Sequence, residues 1–135
     1  MHFYYEFEIA NKLDELTELC SRIELLLNRH NIGKRQIYIV MLTLEEMVSN
    51  IIKYGYDDDD LHHIRVELEY RAPEIKLSIT DDGHAFDPLR QPAADISGSV
   101  EERSIGGMGI LLARELTKSM VYDRKDQTNI VTAVI

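Results

Sequence analysis

The sequence predicts a two-layer α/β sandwich, a mostly antiparallel mixed sheet with helices on one face. Three observations carry that expectation. Apolar residues recur every three or four positions from Leu13 to Leu27 and again from Ile37 to Ile51, the spacing of a helix face turned to a core. Two alternating segments, HIRVELEY and EIKLSIT, flank a short Arg71-Ala72-Pro73 connection, as the arms of a hairpin do. Two more short strand-like segments, MVYD and NIVTAVI, follow a third helical pattern near the end of the chain. Strands that come mostly in hairpins favour an antiparallel sheet over a parallel doubly wound one.

The elements follow in order. Residues 2 to 9, rich in aromatic and β-branched side chains, read as a first strand, and Asn11 as the cap of the helix through Leu13, Leu16, Leu19, Ile23, Leu26 and Leu27. His30-Asn31-Ile32-Gly33 interrupts the pattern. A second amphipathic helix then runs through Ile37, Val40, Met41, Leu44, Val48 and Ile51 and ends near Gly55. The acidic turn YDDDD leads into the hairpin. From Pro88 to Ile105 the chain shows no periodicity and carries two prolines, a length that in compact domains marks a functional or mobile loop. Gly106-Gly107-Met108-Gly109 opens the third helix, through Ile110, Leu111, Leu112 and Leu116.

A chain of 135 residues suits one domain, since at this size roughly two-thirds of the unfolded surface can be buried. Its 44 % hydrophobic and 29 % charged residues are those of an ordinary globular protein rather than a disordered one. A net charge of −9 argues against binding nucleic acid, so any phosphate ligand has to be held by local features. No apolar run approaches the roughly 18 residues of a membrane span, and the start lacks the pattern of a secretory signal. With a single cysteine, Cys20, which falls among the leucines of the first helix, the expected location is cytoplasmic.

Three short stretches can carry chemistry. In LTLEEMVSNIIKYGY, Glu46 and Asn50 stand four apart and therefore share a helix face. Such a pair is most often a solvated face, but it also places a carboxylate able to act as base beside an amide oxygen suited to Mg²⁺. In DDGHAFDP, Asp-Gly after a strand usually signals a hairpin turn, yet no returning strand follows. The glycine can instead admit a ligand to the strand end, next to a carboxylate that accepts from an amino group. In IGGMGILLAREL, glycines directly before a helix can bring backbone N–H groups against an anion. This is neither the dinucleotide fingerprint nor a Walker loop. Asp57 to Asp60 with His62 and His63 lacks the spacing of a calcium loop and reads as a solvated turn, and His84 reads as an exposed loop residue.

Taken in this order, Glu-x-x-x-Asn, Asp-x-Gly and Gly-x-Gly give a sequence that resembles the ATP-binding family shared by gyrase, MutL and the histidine kinases, with its Bergerat-type fold. Within it, EEMVSN, DDGHAFDP and GGMGI look like the stand-alone anti-sigma-factor serine/threonine kinases of bacterial partner-switching systems, over essentially the whole chain. The resemblance implies one ATP-binding domain over residues 1–135 with an ATP lid at about 88–105. It implies Glu46 as general base, Asn50 as the Mg²⁺ ligand, Asp81 as the contact to the adenine amino group, and Gly83 as the space that lets the base approach. It further implies that the amides of Gly107, Met108 and Gly109 hold the phosphates, that Thr128 supports the adenine pocket, and that Arg103 of the lid reaches the γ-phosphate. Ala85, where many relatives have a second glycine, and Tyr54, where histidine is common, depart from the pattern without removing a group the chemistry needs.

The activity so implied is ATP-dependent phosphorylation of an anti-sigma-factor antagonist. The alternative is a non-catalytic module whose nucleotide state controls sequestration of a sigma factor or other regulator. A homodimer is a further expectation, compatible with the aromatic first strand, Phe3, Tyr4 and Tyr5. A complete two-component histidine kinase is disfavoured, because none of the five histidines is followed by the acidic residue and proline of a phosphoacceptor helix.

Overall fold

A computed structural model describes residues 1–90 and 108–135. Of the expected lid only Pro88–Arg90 is described; its remainder and two of the expected phosphate contacts, Arg103 and Gly107, lie outside the described residues. Strand β1 (His2–Ala10) is followed by helices α1 (Leu13–Arg29) and α2 (Lys34–Tyr54), then strands β2 (His63–Arg71) and β3 (Glu74–Asp81). A short 3₁₀ turn covers Pro88–Arg90, and helix α3 (Met108–Leu116) precedes strands β4 (Ser119–Lys125) and β5 (Thr128–Val134).

The five strands form one sheet in the order β1-β2-β3-β5-β4. All four pairings are antiparallel, so the sheet is not mixed among the described residues. Period-2 alternation decides which face is covered. Ile64, Val66 and Leu68 of β2, Ile75, Leu77 and Ile79 of β3, and Val131 and Ala133 of β5 are buried. Against them pack Leu16, Leu19, Ile23 and Leu27 of α1 and Ile37, Val40, Leu44, Met47 and Val48 of α2, two stripes at helical spacing. Truncating one of the fully enclosed leucines, such as Leu44 or Leu77, would cost about 2–5 kcal/mol. Cys20 is one of these packed residues, and burial pushes its thiol up to about 11.

Two local expectations are corrected. The cap of α1 is Lys12, not Asn11, and it makes no side-chain capping bond. The Asn11 side chain instead accepts a hydrogen bond from the His62 amide at 3.1 Å, while Glu15 reaches back to accept from the Ala10 amide at 2.9 Å. Asn11 therefore joins the start of α1 to the start of β2. The β1 aromatics have their own packing roles: Phe3 is buried against His30 and Tyr70, Tyr5 packs at the core margin, and only Tyr4 is exposed.

Strands β4 and β5 are joined by Asp126 and Gln127, both in the left-handed region with φ of 53° and 66°. A two-residue turn of this kind matches the twist of the flanking strands, although glycine or asparagine is the usual occupant. On its other side β5 pairs with β3 in the register that brings Asn129 opposite Asp81.

Candidate functional site

The last turns of α2 and the ends of β3 and β5 line an open cleft. Its walls are mainly apolar, from Met47, Ile51, Phe86 and Val131, with Asn50, Tyr54, Asp81, His84 and Asn129 as polar groups. A mostly apolar cavity with a few convergent polar atoms is what a flat heteroaromatic ligand needs. The site exists because α2 places Asn50, Ile51 and Tyr54 on one side at a spacing of three to four residues, while β3 delivers Asp81 to the other as its last residue.

Asp81 is buried, at 6 % exposure, and its surroundings orient it. Oδ1 accepts from the Gly83 amide at 2.8 Å and from Asn129 Nδ2 at 3.0 Å. Both bonds use the same oxygen, so Oδ2 remains for a ligand donor. Burial raises the Asp81 pKa, while the bonds from Asn129 and Gly83 act against that rise. Asn129 is held in turn. Its Nδ2 also donates to the His84 carbonyl at 2.9 Å, and its Oδ1 accepts from Arg124 Nη1 at 2.8 Å and from the Tyr122 hydroxyl at 2.5 Å. Arg124 Nη1 further donates to the Gly83 carbonyl at 3.1 Å. Buried polar networks of this kind rigidify when every member is satisfied.

Gly83 is required by space. A Cβ there would overlap the Gly55 carbonyl and lie 2.9 Å from Asp81 Oδ1. The close approach is fixed by the neighbouring bond from the His84 amide to the Gly55 carbonyl at 2.9 Å. Gly109, in the first turn of α3, is close to a side chain instead of backbone: a Cβ there would meet the Glu46 carboxylate, the far end of a flexible side chain. Thus the first turn of α3 lies directly against Glu46. Met108 is exposed at that end. The structure brings Glu46 together with Gly109, and Asn50 together with Asp81, along one side of α2.

Thr128 is placed elsewhere. It pairs with Lys125 at the hairpin turn, does not line the cleft, and its hydroxyl donates to the Asp126 carbonyl at 3.5 Å. The next residue, Asn129, occupies the inward position and contacts Asp81. The sequence reading missed Asn129, Tyr122 and Arg124. Asp82 and His84 are exposed, and Asp82 points to His62 rather than into the cleft.

Among the described residues no three acidic, histidine or cysteine side chains converge as a metal cage. Mg²⁺ needs no such cage, since it usually keeps several waters and is held through one or two protein oxygens plus phosphate. The Asn50 amide on the cleft wall is such a group.

Comparison with known proteins places the chain in a family. The chain is 26 % identical to the serine/threonine-protein kinase BtrW of Bordetella bronchiseptica over 125 residues, covering 93 % of this chain and 88 % of that protein. It is also 26 % identical to an anti-sigma F factor of Clostridium perfringens over 89 residues, covering 65 % of this chain and 64 % of that protein. The histidine kinase-like ATPase domain matches residues 9–135, nearly the full length and including every described cleft residue. The chain belongs to the histidine kinase-like ATPase domain family.

Proposed function

We propose that this protein is an ATP-dependent serine/threonine protein kinase of anti-sigma-factor type, whose substrate is an anti-sigma-factor antagonist. The observation that carries the reading is the position of Glu46 against the first turn of α3. A helix N-terminus suits phosphate, and a carboxylate beside it weakens phosphate binding by repulsion. A module that only binds nucleotide would gain by losing that carboxylate, whereas a phosphoryl-transfer enzyme needs a base there.

In this reading adenine enters the apolar cleft and its amino group donates to Asp81 Oδ2, while Gly83, packed against the Gly55 carbonyl rather than lining the cleft, orients Asp81 through its amide. Asn50 would hold Mg²⁺, which neutralises charge on the phosphates when bound. The amides of Met108 and Gly109, with Gly107 and Arg103 from outside the described residues, would hold the phosphates. Glu46 takes the proton of the acceptor hydroxyl as its oxygen bonds to the γ-phosphorus, and the bond to the β,γ-bridging oxygen breaks to leave ADP. Glu46 also borders the groove between α1 and α2, beside Cys20, Met41, Glu45 and Ser49, which gives the acceptor a route to it. A sigma factor as second partner, homodimerisation and a cytoplasmic location belong to the same proposal; no described helix is long and apolar enough to cross a membrane.

The test is transfer of labelled γ-phosphate to the cognate antagonist. Glu46→Gln should abolish transfer, by about a thousandfold or more, while ATP affinity stays the same or rises. Wild-type protein that transfers nothing but captures a partner differently with ATP and ADP would replace the kinase reading with nucleotide-controlled sequestration.

A further inference from the structure

Outside the cleft, one cluster ties the acidic turn to the segment that carries Asp81. His62, immediately before β2, has a carboxylate at each ring nitrogen. Asp58 Oδ1 lies 2.7 Å from Nε2, and the two Asp82 oxygens lie 3.2 and 3.3 Å from Nδ1. The ring stacks on Tyr56, with centroids 4.1 Å apart and planes within 12°. Its backbone is fixed on both sides by Asn11, whose side chain accepts from the His62 amide and whose own amide donates to the His62 carbonyl at 3.0 Å. A longer contact spans the same two segments, from His84 Nδ1 to Asp57 Oδ1 at 3.4 Å.

A neutral imidazole has one N–H and can donate to only one of these carboxylates, whereas the imidazolium donates to both. The hydrogen bond to Asp58 is the main influence raising the His62 pKa; partial burial lowers it, and Asp82 raises it again. The same bond holds the Asp58 carboxyl below its ordinary range. Tyr56 faces the ring as an un-ionised phenol, because burial raises its hydroxyl further. Lys12, Lys53, Asp59 and Asp60 border the surface hollow shared with Tyr56 and Asp58.

We propose that His62 is a positioning residue for nucleotide recognition: as the imidazolium it ties Asp58 to Asp82 and so fixes the backbone that presents Asp81 to the cleft. The inference rests on the reading of Asp81 as the adenine contact. Because the folded-state pKa is raised, the tie is complete below the ordinary imidazole range and is lost as pH rises through the folded-state value. Above it, one carboxylate loses its donor, and Asp58 and Asp82 face each other as like charges across a neutral ring. Affinity for nucleotide should therefore fall with rising pH, through the residue next to the base contact rather than through the contact itself.

The experiment has two arms. Proton NMR of the nucleotide-free protein, with His62 assigned by its absence in His62→Gln, should give a ring pKa above about 6.5, lowered by Asp82→Asn. Calorimetric ATP titrations of wild type and His62→Gln across the same pH range should differ by about three- to tenfold at low pH and converge at high pH, with the NMR midpoint. Taking the ratio of the two proteins cancels the titration of ATP itself. Glutamine retains a donor and the backbone contacts with Asn11 but does not titrate. A ring pKa at or below the ordinary value, or a ratio independent of pH, overturns this proposal while leaving the ATP reading intact. A chain that binds no ATP at any pH overturns both.

Discussion

Asn129 Nδ2 lies 3.0 Å from Asp81 Oδ1, between two residues that are also opposite partners in the β3–β5 ladder. The bond occupies one carboxylate oxygen and leaves the other to the cleft. Asp81→Asn should therefore weaken ATP binding by about 10- to 100-fold, the scale of one hydrogen bond to a buried charge. Asp82→Asn should cost only about a few-fold, since that side chain is largely exposed and points to His62. Calorimetric titration of both variants checks this, and equal losses would mean that Asp81 is not the base contact.

Asn129→Ala should be costly in a way that substitution of its half-buried β5 neighbours is not. It leaves the Arg124 guanidinium and the Tyr122 hydroxyl without their shared acceptor and removes a donor from Asp81. A loss of about 1–3 kcal/mol in urea unfolding is expected, together with weaker ATP binding. Thr128→Ala, one residue away, should change either quantity by less than about 0.5 kcal/mol.

Gly109→Ala sets two effects of opposite sign against each other. Helix propensity alone would stabilise α3 by up to about 1 kcal/mol. The new Cβ, however, meets the Glu46 carboxylate, which must swing aside. The variant should gain no thermal stability and should lose phosphoryl transfer by about tenfold or more, because the displaced carboxylate is the proposed base. Raised stability with full activity would show that Glu46 moves freely.

The core of the fold was legible because its signal is local. The stripes of α1 and α2 and the alternation in β2 and β3 are each complete within one segment, and the structure places them where the periodicity requires. The DDGHAFDP stretch drew notice for a similar reason, as an Asp-Gly pair after an alternating strand with no returning strand next, and the motif resemblance then selected Asp81 within it. Asn129 carried no signal of its own, because NIVTAVI has apolar residues at both parities, Val131 and Ala133 on one face and Ile130 and Val134 on the other, so the inward face was ambiguous; Thr128 came from the family resemblance alone. The His62 cluster was read as a solvated turn because its third member, Asp82, is twenty residues away along the chain. Asn11 misled for the same reason: its partner, His62, is remote in sequence.

The Asp126-Gln127 turn offers a stability test away from the site. Gln127 sits at φ 66°, where an L side chain crowds its own backbone. Glycine relieves that crowding but gives the unfolded chain more freedom. The relief is the larger effect, so Gln127→Gly should raise unfolding free energy by about 0.5 kcal/mol in urea titration without changing ATP affinity.

The sheet order has a consequence for how the domain can open. The β4–β5 hairpin joins the rest of the sheet along one seam, β3 to β5, while the helices and the β1–β2–β3 ribbon form a unit without it. Asp81 lies at one end of that seam and Asn129 directly across it. Partial detachment of the hairpin would thus uncouple the carboxylate from its support long before the helical core came apart, and a bound purine would act as a clasp across the seam. A larger slowing of amide exchange in β5 than in β2 on adding ligand would be the visible trace of that clasp.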